Sequence, residues 1–591
     1  MRKFYFFIAA LCCAIMANAG DYSDYGALQV RDKQLCDKNG NPVQLRGWST
    51  NGRFPGYMSA YDDETDFQKM KNAGANIARL AMYSYAPNDY TSFALYTAEN
   101  VAWVKNCIDY CAAQNMYCIV DWYVMDPGNP LDAAYSQAAT FFTEICSYVK
   151  NKNYHHVLYE ICSDPHTDDG ENDYVQGCVV WPWVKEYAAT VLPIIKANDP
   201  HAVVIVGTPQ WGHELANPLS DPLDKSLTAG MNIMYSFHFF AGDQERYLGA
   251  LSTASAFMPI FASEWGVGGS TIDGSFDKGK PVADNFLAVC NGLNLGGQLI
   301  SWCNWSWSEG GRVSDSFNSY RYNQWSATGN YIKAELAKSD ERFVTRQSSA
   351  YDEQAFDGYN DLILNLSAYN IGGQGYAYWD YDIDWMGPGQ GAYGSANTEY
   401  GFRTDDNVDI DFSDYYNIDE AYRVLCYIVY PEWVEYTIDA KYAGDYEFEL
   451  FSNNSTQFSN ILGFTIDGKN CLIDNNGKEQ TAVFMPPCHG GTESSLGYQE
   501  WGWVNVRRVK PVSGEKFYIR IPSAGEHKLG IAFLTSSTGL GTLKLMGKPE
   551  NEGIENLRVQ GDKAQKVLID GDVFIALPGG AIYDARGAQV K

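Results

Sequence analysis

The polar residues that close the apolar runs of this chain are Arg79, Asp121-Trp122-Tyr123, Ser163-Asp164, Gln210-Trp211, His238, Glu264-Trp265 and Asn304-Trp305. Asp164 and Glu264 are carboxylates at the ends of separate runs, with tryptophans nearby. Paired carboxylates beside aromatic platforms suit cleavage of a glycosidic bond. One acid protonates the leaving oxygen, and the other attacks or stabilises the anomeric carbon. A single aspartate in such a place is explained by helix capping. Several polar ends in series point to a site. Other chemistries lack their signatures: no GxSxG elbow, no CxxC pair, no GxxxxGK[ST], and no GxGxxG after a strand-like run.

These residues need elements to carry them. From about residue 30 to 336, short apolar runs alternate with longer helical patterns. Strand-like runs are 76–82, 116–121, 157–161, 202–207, 231–238, 259–264 and 297–302, and helical periodicity marks 98–115, 133–149 and 184–197. The alternation predicts an α/β fold, a (β/α)8 TIM barrel over residues 20–337, with its chemistry at the C-terminal ends of the strands. Residues 338–349 are polar and read as a linker. Short alternating strands such as 433–438 and 446–451, separated by Gly, Asn and Asp turns, predict an all-β, jelly-roll-like sandwich over 350–548. Trp433, inside such a strand, is expected in the core. A second linker at 549–560 leads to a small β tail at 561–591, with Asp-Gly and Gly-Gly turns.

Composition narrows the partners. The 591 residues carry a formal net charge of -29, so the chain repels nucleic-acid phosphates but not a neutral polymer. With 46% hydrophobic and 19% charged residues the chain has a folding composition. The 42 Tyr and 16 Trp exceed what a core prefers and suit surfaces that stack sugars. Arg2 and Lys3, an apolar stretch at 4–16 and Ala17-Asn-Ala19 read as an export signal over 1–19. No later run reaches the ~18 apolar residues of a membrane span, so an exported, soluble protein is expected. Cys12 and Cys13 leave with the signal. Cys118, Cys162 and Cys303 lie in apolar runs and read as buried thiols, while pairing of Cys471 with Cys488 stays open.

The segments VQLRGWSTNG (43–52), NIARLAMY (76–83), MYCIVDW (116–122), VLYEI (157–161), IVGTPQW (205–211), YSFHF (235–239), PIFASEWG (259–266) and ISWCNWS (300–306) stand in one order. Together they resemble the glycoside hydrolase family 5 endoglucanases across the whole barrel. The resemblance implies hydrolysis of β-1,4-glucan, cellulose or a related plant cell-wall glycan, with retention of configuration and no cofactor or metal for catalysis. It implies Glu264 as nucleophile, Arg79 as the cation that holds it ionised, and His238 as a substrate or proton-network residue. Trp305 is the implied stacking platform, with further sugar contacts from Trp211, Tyr123, Ser163, Trp265 and Trp302.

The chain also departs from the family. Ser163-Asp164-Pro165 replaces Asn-Glu-Pro, so the acid/base position is Asp164; Tyr123 replaces a His, and Phe240 a Tyr. Loss of one methylene withdraws the carboxyl by ~1.5 Å. Retaining enzymes hold their carboxyls ~5–5.5 Å apart and inverting ones ~6.5–9.5 Å apart. A displacement of about 1 Å can cost ~100-fold in rate. Glu160 shares a strand face with Asp164 but lies deeper, so it is no evident substitute. Three readings follow: a β-glucanase using Asp164, a catalytically inactive barrel that binds glycan, and a hydrolase of altered substrate or stereochemistry.

In the second domain, AYWD (377–380), NTEYGFR (397–403), NVDI (407–410), PEWVEYT (431–437), AGDY (443–446), WGW (501–503) and AGEHKL (524–529) stand in the order of family 6 carbohydrate-binding modules. That resemblance implies glycan stacking on Tyr400, Trp501 and Trp503, and a structural calcium near residues 351–353. KVLIDG (566–571) and YDARGAQV (583–590) resemble type IX-like C-terminal sorting domains. They imply secretion machinery as a partner and a secreted or cell-surface location after Gram-negative-type export.

Overall fold

The computed structural model describes residues 21–51, 63–85, 97–124, 126–167, 173–270, 274–339, 343–352, 354–380, 402–403, 406, 408–412, 423–428, 430–454, 460–485, 502–505, 516–534, 538–548 and the tail strands 565–569, 572–576 and 582–584. The residues expected to form an export signal (1–19), those expected to form a linker (549–560), Glu353, Tyr400, Cys488 and Trp501 lie outside these residues.

Eight strands close into a parallel barrel: β1 (Arg46–Thr50), β2 (Ile77–Tyr85), β3 (Tyr117–Val124), β4 (Val157–Glu160), β5 (Val203–Val206), β6 (Asn232–Phe240), β7 (Ile260–Gly266) and β8 (Ser301–Trp307), with β8 pairing back onto β1. Strands buried on both faces read as continuous apolar runs, which is why seven of them were legible in the sequence. The last run is displaced. Gly297 adopts a left-handed turn (φ 62°), so β8 begins at Ser301 rather than near residue 297.

The outer layer includes α1 (Glu64–Asn72), α2 (Ala98–Ala113), α3 (Ala138–Lys152), α4 (Asp173–Asn198), α5 (Leu248–Ala254), α6 (Phe276–Cys290) and α7 (Ala327–Ala337). The expected helix from residue 133 splits into a short turn at Ala133–Tyr135, capped by Asp132, and then α3. Helix α4 starts before the expected residue 184 and runs through Pro182 and Pro193. Its stripe of Val180, Trp181, Val184, Tyr187, Ala188, Val191, Leu192 and Ile195 is buried, and that packing offsets the missing backbone bonds. Beneath the barrel, Tyr25, Leu28 and Leu35 of the N-terminal segment join Ile77, Tyr117, Ile119, Leu158 and Val203 in one apolar cluster. This plug closes the N-terminal end, leaving the strand C-terminal ends for the site.

The second domain is a two-sheet sandwich. In one sheet β9 (Trp433–Ala440) and β11 (Asn460–Ile466) flank β12 (Gly525–Phe533); in the other, β13 (Thr538–Leu545) pairs with β10 (Gly444–Asn454) and Arg423–Ile428. Tyr436, Phe464, Leu529 and Ile531 of the first meet Phe448, Leu450 and Leu543 of the second. Trp433 is buried, as expected of a core residue, yet it packs with the barrel cluster, and its indole N–H donates to Ser252 Oγ at 3.2 Å. The polar linker is tied to both domains: Val344 N–H donates to Asn291 O (2.8 Å) in the barrel and Arg346 pairs with Glu435 (2.8 Å) in the sandwich. The tail strands Gln565–Ile569, Asp572–Ala576 and Ile582–Asp584 form their own antiparallel sheet. Among the described residues no helix is long and apolar enough to cross a membrane.

Candidate active site

Strand alternation and register bring the charges together. On the parallel barrel Asp121 pairs with Glu160 and His238 pairs with Glu264, so each neighbour presents its side chain at the same height. Arg79, on β2 and fully buried, is the hub. Its Nε donates to Glu160 Oε2 (2.7 Å), Nη1 to Glu264 Oε2 (2.7 Å), and Nη2 to Asp121 Oδ2 (2.9 Å) and Ser163 Oγ (2.6 Å). Only a guanidinium has enough fixed N–H groups to serve three carboxylates at once.

His238 forms a second cationic centre. Its Nδ1 contacts Asp164 Oδ1 at 2.7 Å, and its Nε2 contacts Ser263 Oγ at 3.1 Å. Ser263 in turn donates to Glu160 Oε1 at 2.6 Å. Burial alone would push His238 down, but Asp164 and Glu160 lift it to about 10. Burial pushes Asp164 up; the His238 charge and hydrogen bond, with the Tyr123 hydroxyl, bring it down to about 2. The pair is therefore an imidazolium and a carboxylate.

The Arg79 carboxylates diverge. Burial raises Glu264 above the usual carboxylate value, because Arg79 is shared three ways. Burial also holds Asp121 well up, whereas Arg79 and His238 keep Glu160 low. Two cations face four carboxylates, so the carboxylates compete for positive charge.

An aromatic roof covers the cluster. Tyr83, Tyr123 and Trp305 pack with Ala81, and the partly buried Phe240 lies against them. Tyr123 lies parallel to Trp305, with centroids 6.4 Å apart and planes 16° apart, and it meets Tyr83 at 4.4 Å. The Arg79 guanidinium is 5.8 Å from the Tyr123 ring. Beside the roof runs a stacked row: His166 on Trp211 (4.3 Å), Trp211 on His213 (6.5 Å) and His213 on Tyr247 (4.0 Å). Gln210 and Trp211 both hold a left-handed φ of 53°, and Trp211 is 38% exposed. Strained backbone in non-glycine residues recurs at ligand clamps.

The structure thus brings Arg79, Asp164, His238 and Glu264 together, sets Tyr123 and Trp305 above them and leaves Trp211 at the rim. Three sequence expectations are corrected. Trp265 and Trp302 are buried behind the barrel wall, where Trp265 packs on Phe286 of α6 (4.8 Å) and edge-on against Trp302 (5.7 Å). Alternation explains this: Glu264 points inward, so Trp265 points outward, and Trp302 shares the outward face of β8. Ser163 is fully buried, and its hydroxyl is engaged by Arg79 rather than offered to a sugar.

Tyr400 and Trp501 lie outside the described residues; Trp503 is described only as backbone of Gly502–Asn505. Of the 351–353 segment expected to hold calcium, Glu353 lies outside the described residues. The Arg403 guanidinium lies 5.1 Å from the Tyr351 ring, and no group of three carboxylate, His or Cys donors able to hold a metal occurs among the described residues. Sequence reasoning gave no role to Ser263, Tyr83, His166 or His213, and it left Asp121 and Glu160 unassigned. An isolated buried Arg79 was the available signal, since it demands more than one anion.

Comparison with known proteins is concordant. The cellulase model (glycosyl hydrolase family 5) matches residues 36–311. Endoglucanase E-5 of Thermobifida fusca is 34% identical over 291 residues, covering 48% of this chain and 56% of that protein. Cellulase CelDZ1 of a Thermoanaerobacterium species is 30% identical over 342 residues, covering 54% of this chain and 82% of that protein. The crystallised catalytic domain of the Thermobifida fusca endoglucanase superposes with a TM-score of 0.45 at 30% identity, over 54% of this chain and 100% of that one. The chain spans about half the length of the Thermobifida relative.

Proposed function

This chain belongs to the cellulase family, glycosyl hydrolase family 5, and on that premise we propose that it is an exported endoglucanase that hydrolyses β-1,4-glucan with retention of configuration. The observation that carries the reading is Glu264 bound to Arg79 at 2.7 Å, with the Asp164–His238 pair one strand away. In the first step Glu264 attacks the anomeric carbon. The proton for the leaving oxygen passes from His238 Nδ1 to Asp164 and on to the sugar. In the second step water attacks the anomeric carbon and displaces Glu264, while Asp164 takes its proton and returns it to His238 Nδ1. Trp305 stacks the reacting sugar and Trp211 a neighbouring one.

The test is a reducing-sugar assay on soluble β-glucan, with the product anomer read by NMR. Wild type should release β-anomer, and Glu264→Gln should abolish release. No turnover by wild type, and none gained by Ser163→Asn with Asp164→Glu, would remove the enzyme reading. A second reading, glycan binding without cleavage, is favoured by one observation: His238 Nδ1 lies 2.7 Å from Asp164 Oδ1, a pairing that favours the carboxylate over the protonated acid. Wild-type turnover would dismiss it.

We assign the sandwich a glycan-binding role through Tyr400, Trp501 and Trp503, on the ordered motifs of its sequence. Residues 1–19 and 561–591 serve export to the cell surface. Deleting 561–591 should leave the barrel folded and trap the protein before the surface; normal release of the truncated protein counts against the tail's sorting role.

A further inference from the structure

The roof crowds the place where the reacting sugar would lie, with Tyr123 and Trp305 both buried. A pyranose between two aromatic faces needs contact distances of ~3.5–4 Å on each side, roughly 7–8 Å in all. Tyr123 and Trp305 are 6.4 Å apart and nearly parallel. Tyr123 itself lies over the charges: its ring sits 5.8 Å from the Arg79 guanidinium and its hydroxyl is directed at Asp164. A sugar that stacks on Trp305 and reaches Glu264 must therefore take the space that Tyr123 holds.

We propose that Tyr123 is an internal occupant of the reacting-sugar position, and that a glucan chain binds the barrel by displacing its ring. The inference rests on the proposed glucan cleft. Displacement gives up the ring contacts with Tyr83 and Trp305 and the hydroxyl's hydrogen bond to Asp164, and these set the scale of the effect.

The experiment is calorimetric titration of the full-length protein with cellotetraose. Wild type, Tyr123→Ala, Tyr123→Phe and Trp305→Ala are compared, with folding of each checked by thermal melting. Tyr123→Ala should bind about 10-fold tighter or more. Tyr123→Phe keeps the ring but loses the hydroxyl's hydrogen bond to Asp164, so it should bind tighter than wild type yet less tightly than Tyr123→Ala. Trp305→Ala should weaken binding. If Tyr123→Ala melts out, Tyr123→His carries the same prediction with a smaller gain. Weaker or equal binding by Tyr123→Ala, with Trp305→Ala also weakened, overturns the occupant and leaves the glucan cleft intact. Insensitivity of binding to both Tyr123→Ala and Trp305→Ala overturns the cleft itself, and the occupant with it.

Discussion

His238 and Arg79 carry the positive charge of a site that holds four carboxylates, and most of its behaviour follows from that shortage. Asp164 is depressed from 3.8 to about 2, so its contribution to stability is complete above its ordinary value and drains as pH falls through about 2. His238 is raised from 6.5 to about 10, so its contribution is complete below 6.5 and drains as pH rises through about 10. His238→Gln leaves a buried carboxylate without its cation and should cost ~3–5 kcal/mol at neutral pH. Urea titrations across pH would show the gap to wild type widest between the two ordinary values and closing near pH 10; a gap independent of pH would sink the ion-pair account. Glu264 gives a second test. It is raised above its ordinary 4.5, and it must be ionised to attack, so the acid limb of kcat/KM should fall above pH 4.5. A limb at or below that value would mean that Arg79 serves Glu264 ahead of Asp121 and Glu160.

At the scale of elements, the site depends on how closely α6 seats against the strand ends. Gly279, in its first turn, lies against the strand that ends in Glu264-Trp265-Gly266: a Cβ there would meet the Val267 carbonyl oxygen at 1.9 Å. Alanine favours a helix over glycine by ~1 kcal/mol, which opposes the clash. The clash wins, because its partner is backbone and does not rotate away. Gly279→Ala should destabilise by ~1–3 kcal/mol and lower Tm, and an unchanged or raised Tm would contradict the close seating.

Across the whole molecule the barrel and sandwich share a core. Trp433 reaches the barrel cluster, and Gly463 makes room for Phe257: a Cβ there would sit 2.5 Å from its ring. The linker is hydrogen-bonded to both sides. Calorimetry of the full chain should therefore show barrel and sandwich melting in one transition. Trp433→Ala removes a fully buried indole, should cost ~3–5 kcal/mol, and should separate the two transitions. Two well-separated transitions in wild type would refute the shared core.

The sequence by itself determined the barrel, because strands buried on both faces leave apolar runs and helices leave periodic ones. It also determined which residues end those runs, and so Arg79, Asp164, His238 and Glu264 were legible. Periodicity carries no distance between strands, however, and that is where the rest lay. Which carboxylates share Arg79 depends on the lateral register of β2, β3, β4 and β7. That Trp265 and Trp302 face outward depends on the phase of a two-residue alternation, which neither position's own identity reveals. The parallel approach of Tyr123 to Trp305 joins β3 and β8, which are separated in the closed sheet by β1 and β2. Only closure of the sheet brings those rings within 6.4 Å, and with it decides whether the site stands open to a sugar.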